Sequence, residues 1–169
     1  PQHKREYING ETWLLFGQHI TLKIDSAHTS STQFIAETQE LRITVGSRVR
    51  NTQQFIKKKV ETWYKEIATE YLNTTLPTLA EAMNVQYQSI NIRDYKARWG
   101  SCSASANLSF NWRIFMAPAP VIDSVIVHEL AHITHFNHSK KFWDLVYLHC
   151  PDYQKQHAWL KENQYLLQA

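Results

Sequence analysis

Four of the nine histidines in this 169-residue chain fall within the stretch VIVHELAHITHFNHSKKFW, Val125 to Trp143. His128 and His132 stand four positions apart with Glu129 between them. On a helix that spacing places two imidazoles on one face, about 5 to 6 Å apart at their β carbons, so both can reach one ion. Glu129, three positions before His132, would lie beside such an ion and not on it, where a carboxylate can take a proton from a water at the ion's open position. Val125, Ile126, Leu130 and Ile133 surround these residues in a pattern that reads as buried. Imidazoles and a carboxylate left unpaired in that setting cost on the order of kilocalories per mole each. A bound metal removes the conflict, and the arrangement is H-E-x-x-H.

A third ligand has to arrive from another direction, because a tetrahedral site with one open position cannot take three ligands from one straight stripe. His135 continues the stripe of His132 and would lie too far along the axis. His138 follows Asn137, which reads as a left-handed helix stop, and can swing back toward the pair. Glu162, on a later helix, is the alternative. The full spacing, H-E-x-x-H-x5-H, has the length of the metzincin motif, but His135 occupies that motif's glycine position. Met83 and Met116 both precede the helix, so no Met-turn follows it, and the metzincin assignment is rejected. Three histidines with one open position favour Zn2+, with Ni2+ or Co2+ able to substitute.

The elements that must position these residues are legible from hydrophobic period. The first fifty residues alternate β-prone runs (TWLLF, HITLKI, LRITV) with turn signals and predict an N-terminal β meander. From Thr52 the period becomes helical through Ile56, Val60, Trp63, Ile67 and Tyr71, with Pro77 expected to interrupt before a shorter segment to Met83. SINIRDY and NLSFNWRI predict a hairpin or adjacent strand pair across Gly100 to Ser105. Pro118 and Pro120 suit the start of the metal-site helix, with Asp123 in its first turn. A further helix should begin near Ser139 and break at Pro151, and a last one should pass through Trp159.

Length and composition predict a single domain over 1–169, with the meander in 1–50 and the metal-site core in about 86–150. No apolar run approaches the roughly 18 to 20 residues of a membrane span, and PQHKREYING has no signal-peptide core, so a cytoplasmic protein with reduced Cys102 and Cys150 is expected. The net charge of +3 and the run Lys57 to Lys59 read as a solvated helix face, not as a nucleic-acid patch.

ARWGSCS (Ala97 to Ser103), NLSFNWRIFMAP (Asn107 to Pro118), VIVHELAH (Val125 to His132) and NHSKKFW (Asn137 to Trp143) together resemble the YgjP-like family of zinc metallohydrolases, relatives of the SprT and WLM peptidases. The resemblance covers about Tyr95 to Cys150. It implies an α+β fold of the minimal zincin kind, with a small, mostly antiparallel sheet packed on the active-site helix. It also implies His128, His132 and His138 as ligands and Glu129 as base. Two substrate classes follow from it: peptides or proteins, and nucleoside triphosphates such as UTP, split to a monophosphate and pyrophosphate. The peptidase reading is favoured by the strand through Asn107 to Arg113, expected to offer a sheet edge to an extended peptide. The nucleotide reading draws on Arg93, Arg98 and Arg113, since guanidinium groups suit phosphate, but no Gly-rich phosphate loop or acidic Mg2+ cluster accompanies them. Arg98, Asn111 and Arg113 are the candidate substrate contacts. A metal-stapled binding module without catalysis is a third reading, against which Glu129 argues. Oligomeric state is not legible.

Overall fold

The alternating runs near the N-terminus form β1 (Thr12–Leu15), β2 (Gln18–Ala27), β3 (Ser31–Ile35) and β4 (Glu40–Gly46). In the computed structural model, which describes residues 4–168, these strands do not form the expected meander. Their order is β1-β2-β4-β3, with β2 and β4 parallel. The reason lies in β4, whose Leu41, Ile43 and Val45 are all buried, whereas β3 is exposed over its first three residues. The more apolar strand takes the interior place, and the chain after β2 crosses its end. There Ser47 N–H donates to the His28 carbonyl at 3.3 Å and Gly46 N–H to Ser30 Oγ at 2.9 Å.

The helical period beyond Thr52 gives α1 (Thr52–Ala82), opened by Asn51, whose side chain accepts from Gln54 N–H at 3.0 Å. Pro77 does not interrupt it. A proline inside a helix removes one hydrogen bond and clashes with the turn before it, at about 3 kcal/mol or more, but here Pro77 and Asn73, whose carbonyl loses its donor, both face solvent. The opposite face buries Leu72, Leu76 and Ala80. Each buried leucine contributes roughly 1.5 to 3 kcal/mol, enough to carry the helix through the proline.

The second sheet contains β5 (Ser89–Arg93), β6 (Gly100–Cys102) and β7 (Asn107–Asn111), in the order β5-β7-β6. The two expected runs are adjacent, as β5 and β7, but they are parallel and not a hairpin, in a register that aligns Ile90 with Leu108 and Ile92 with Phe110 on one apolar face. The antiparallel partner of β7 is β6, which forms within the expected connection. Both sheets are therefore mixed. β7 is the central strand, so the edges are β5 and the short β6 and not the Asn107 to Arg113 strand, and β6 is the edge that packs against α2.

After a 3-10 turn over Trp112–Met116 come α2 (Ala119–Thr134), α3 (Lys140–His149) and α4 (Tyr153–Asn163). Ser139 caps α3, accepting from Phe142 N–H at 3.3 Å. Asp123 lies just beyond the first turn of α2, and its work is different from dipole compensation: it accepts the Tyr71 hydroxyl at 2.5 Å, tying α2 to α1. Gly17, at φ +80°, sits where a β carbon would come within 2.9 Å of Pro118, and its N–H donates to the Met116 carbonyl, so the β1-β2 tip holds the start of α2. One hydrophobic core joins Trp13, Ile43, Tyr64, Leu72, Phe110 and Ile126 across both sheets and the two long helices. Among the described residues no helix is long and apolar enough to cross a membrane, and both cysteines are free.

Candidate metal centre

His128, Glu129 and His132 lie on α2, whose Ile126, Val127, Leu130 and Ala131 are buried in the core. The helix does not run to Asn137 as expected. It ends at Thr134, with His135 extended at φ −128° and ψ 98°, and Asn137 is not left-handed. The early stop turns the His135 carbonyl back to His132 Nδ1 at 3.2 Å. His135 therefore meets the site through its backbone, and its ring is not in the cluster. The short loop to Ser139 then brings His138 over the helix, with its Nε2 3.1 Å from His132 Nε2.

One ligand atom from each of His128, His132 and His138 can be chosen such that all lie within 4.8 Å of one another. Glu162 stays exposed on α4, outside that group. The donor set fits a metal for a reason internal to the hydrogen bonding. A carbonyl only accepts, so His132 Nδ1 must carry the proton, and a neutral His132 then directs the Nε2 lone pair at His138. His128 Nδ1 is occupied by the Tyr153 hydroxyl at 3.0 Å, a group that can either donate or accept, which leaves the ring's Nε2 for the cluster. Two nitrogens bound tetrahedrally to one zinc at about 2.0 to 2.1 Å are roughly 3.3 Å apart, close to the separation of the two Nε2 atoms. Burial, followed by the nearby His132, His138 and His157, pushes His128 down to about 4, so its ring is neutral and free to ligate at neutral pH. Phe142 closes the inner wall, stacked on His132 with ring centroids 4.5 Å apart.

Glu129 is only 7% exposed. Burial drives its carboxyl up to about 7, against the opposing pull of Arg98. The backbone of β6 lies against it: a β carbon on Gly100 would come within 3.0 Å of Glu129 Cγ and 3.2 Å of Oε2. Only glycine lets the strand come so close without displacing the carboxylate. Cys102, on the same strand, is half-buried with its thiol raised by burial and then by the charge of Glu129.

Arg98, Asn111 and Arg113 line one cavity of about 450 Å3 beside Trp99. Asn111, 2% exposed, has its amide engaged within the chain, donating to the Tyr95 and Arg98 carbonyls at 3.0 Å each and accepting from Arg113 N–H at 3.1 Å. It shapes the Tyr95 to Trp99 loop. Arg113 pairs with Asp94 and packs over Trp112, while Arg98 is exposed above the Tyr95 ring. Arg93 lies apart from this cavity, on the polar face of the second sheet. Sequence reasoning missed Tyr153, β6 and the Lys4 and Arg5 wall of the cavity. Each joins the site across long sequence separations, and the one local clue was Gly100, which the sequence placed in the connection between two predicted strands.

A family model described as YgjP-like, metallopeptidase domain, matches residues 1–163. Among solved structures, the metallopeptidase zymogen of Pyrococcus abyssi abylysin is similar, at 19% identity over 53% of this chain and 91% of that one, with a TM-score of 0.48. No curated protein matches the chain. The family match extends well beyond the metal-site segment, through the N-terminal sheet and α1 to α4, and on that ground the chain belongs to the YgjP-like family of metallopeptidase domains.

Proposed function

We propose that the chain is a zinc-dependent peptidase in which His128, His132 and His138 hold the ion and Glu129 is the general base. The observation that carries this reading is the buried Glu129, one residue from His128 on α2 and in contact range of the edge strand β6. Zinc, when bound, supplies a Lewis acid that polarises the scissile carbonyl and makes a water more acidic. The chain's own groups do the rest. The free edge of β6 can take an extended peptide as an additional strand, with main-chain hydrogen bonds aligning the scissile bond beside Glu129. The Glu129 carboxylate accepts the proton of the attacking water and delivers it to the departing amine nitrogen. The His135 carbonyl holds His132 in the tautomer that ligates, and the Tyr153 hydroxyl engages His128 Nδ1 so that its Nε2 is the atom left for the ion.

The test offers zinc-loaded protein a peptide library and a nucleoside triphosphate panel side by side. Peptide cleavage is expected. Glu129→Gln, nearly isosteric but unable to take the proton, should lower turnover by on the order of 10² to 10⁴ while zinc content, measured on the same preparation, stays at the parent level. Triphosphate hydrolysis without peptide cleavage, or parent-level turnover by zinc-loaded Glu129→Gln, would overturn the reading.

A further inference from the structure

The cavity beside Arg98 gathers charge far beyond the chain's overall balance. The net charge is only +3, yet Lys4, Arg5, Lys57, Lys96, Arg98 and Arg113 all line this one space of about 450 Å3, and no carboxylate does. Asp94 offsets Arg113, and Arg5 is buried with its guanidinium donating to the Thr12 and Leu166 carbonyls. Lys4, Lys57, Lys96 and Arg98 are exposed, and among the described residues none of them has an ion-pair partner. A concave wall of one sign concentrates its field into the cavity.

The cavity adjoins the proposed cleavage site. Trp99, on its wall, directly precedes Gly100, and Gly100 lies against Glu129. The charge of Arg98 already reaches the Glu129 carboxylate. Strands prefer antiparallel partners, and β6 itself is antiparallel to β7. A peptide laid antiparallel on the free edge of β6 runs its C-terminal end past Gly100 toward Trp99 and Arg98. At about 3.3 Å per residue, residues roughly two to four beyond the scissile bond come against the cations.

We infer that this cavity is a specificity subsite for peptides that carry Asp or Glu C-terminal to the scissile bond, a proposal that rests on the peptidase reading. Phosphate is the lesser fit. Phosphate sites draw on glycine-rich backbone N–H nests or helix N-termini, whereas the loop here, Tyr95 to Trp99, contains no glycine and two of its carbonyls are held inward by Asn111.

The test uses peptides identical except for Glu or Gln at the third and fourth positions after the cleaved bond. For the zinc-loaded parent, kcat/KM should favour the Glu peptide by about 10-fold at low salt, with the preference fading at 0.5 M NaCl. In Lys57→Glu/Lys96→Glu, checked for folding by circular dichroism, the ratio should fall to unity or invert. Binding of the labelled Glu peptide to metal-free protein should weaken in parallel. Equal cleavage of both peptides by the parent would overturn the subsite and leave the peptidase standing. If no peptide is cleaved, the peptidase reading falls and the subsite falls with it. A nucleoside triphosphate or single-stranded oligonucleotide that outcompetes the Glu peptide for metal-free protein would reassign the cavity to phosphate.

Discussion

Replacing Tyr153 by Phe tests whether α4 tunes the metal centre or merely packs on it. The Tyr153 hydroxyl lies 3.0 Å from His128 Nδ1, and the residue is 9% exposed. Its ring stacks on His128 with centroids 5.8 Å apart and on His157 at 5.9 Å. Phenylalanine keeps these ring contacts and removes one oxygen. The loss is a hydrogen bond of about 0.5 to 1.5 kcal/mol net, plus the desolvation of an Nδ1–H left without an acceptor, about 1 to 3 kcal/mol. The N–H becomes a stronger donor when Nε2 binds a cation, so the loss is greater in the metal-bound protein. Zinc affinity should therefore fall about 10- to 100-fold, or about 1.4 to 2.7 kcal/mol, as read by competition with a chromophoric chelator. The Tm of metal-free protein, which carries the part of the loss common to both states, should fall by only about 2 to 4 °C, so the fall in zinc affinity reads the additional loss in the metal-bound state. A zinc Kd within about twofold of the parent would refute this reasoning, as would a loss as large as that of His128→Ala.

His138→Ala should weaken zinc binding severely, since its Nε2 faces that of His132, whereas His135→Ala should keep nearly parent affinity because its contribution is a backbone carbonyl; equilibrium dialysis with elemental analysis ranks the two, and the reverse order would misplace the third ligand. Gly100→Ala introduces a methyl 3.0 Å from Glu129 Cγ and 3.2 Å from Val125 Cγ1, so the carboxylate must shift by a few tenths of an ångström. A roughly 3- to 10-fold loss of turnover with zinc content unchanged is expected, and parent-level kcat would show that β6 does not set the position of Glu129. The Glu129→Gln comparison described above completes the series.

Much of the site was legible because it is local. The H-E-x-x-H spacing, the apolar residues between, the Ser139 cap and the long stripe of α1 all arise from a 3.6-residue period that a linear sequence displays directly. Pro77 misled because its penalty depends on whether the freed carbonyl meets water, and that is a property of the outward face of the folded helix. Asn137 misled for a related reason: the helix stops where the His135 carbonyl finds His132, and residue preference alone does not contain that contact.

The sequence by itself determined that two histidines share one face of an apolar helix with a glutamate beside them, and that an N-terminal β region, a long amphipathic helix and a strand pair precede them. Only the tertiary structure decided the rest. It set β4 between β2 and β3, brought His138 back over α2, laid Tyr153 on His128 from 25 positions away, and gathered Lys4, Lys57 and Lys96 on one wall. Periodicity reports which face of an element is apolar, but not which other face will cover it. That choice is made by competing burials across the whole chain, where β4 takes the interior place because Leu41, Ile43 and Val45 bury more there than the exposed face of β3 could.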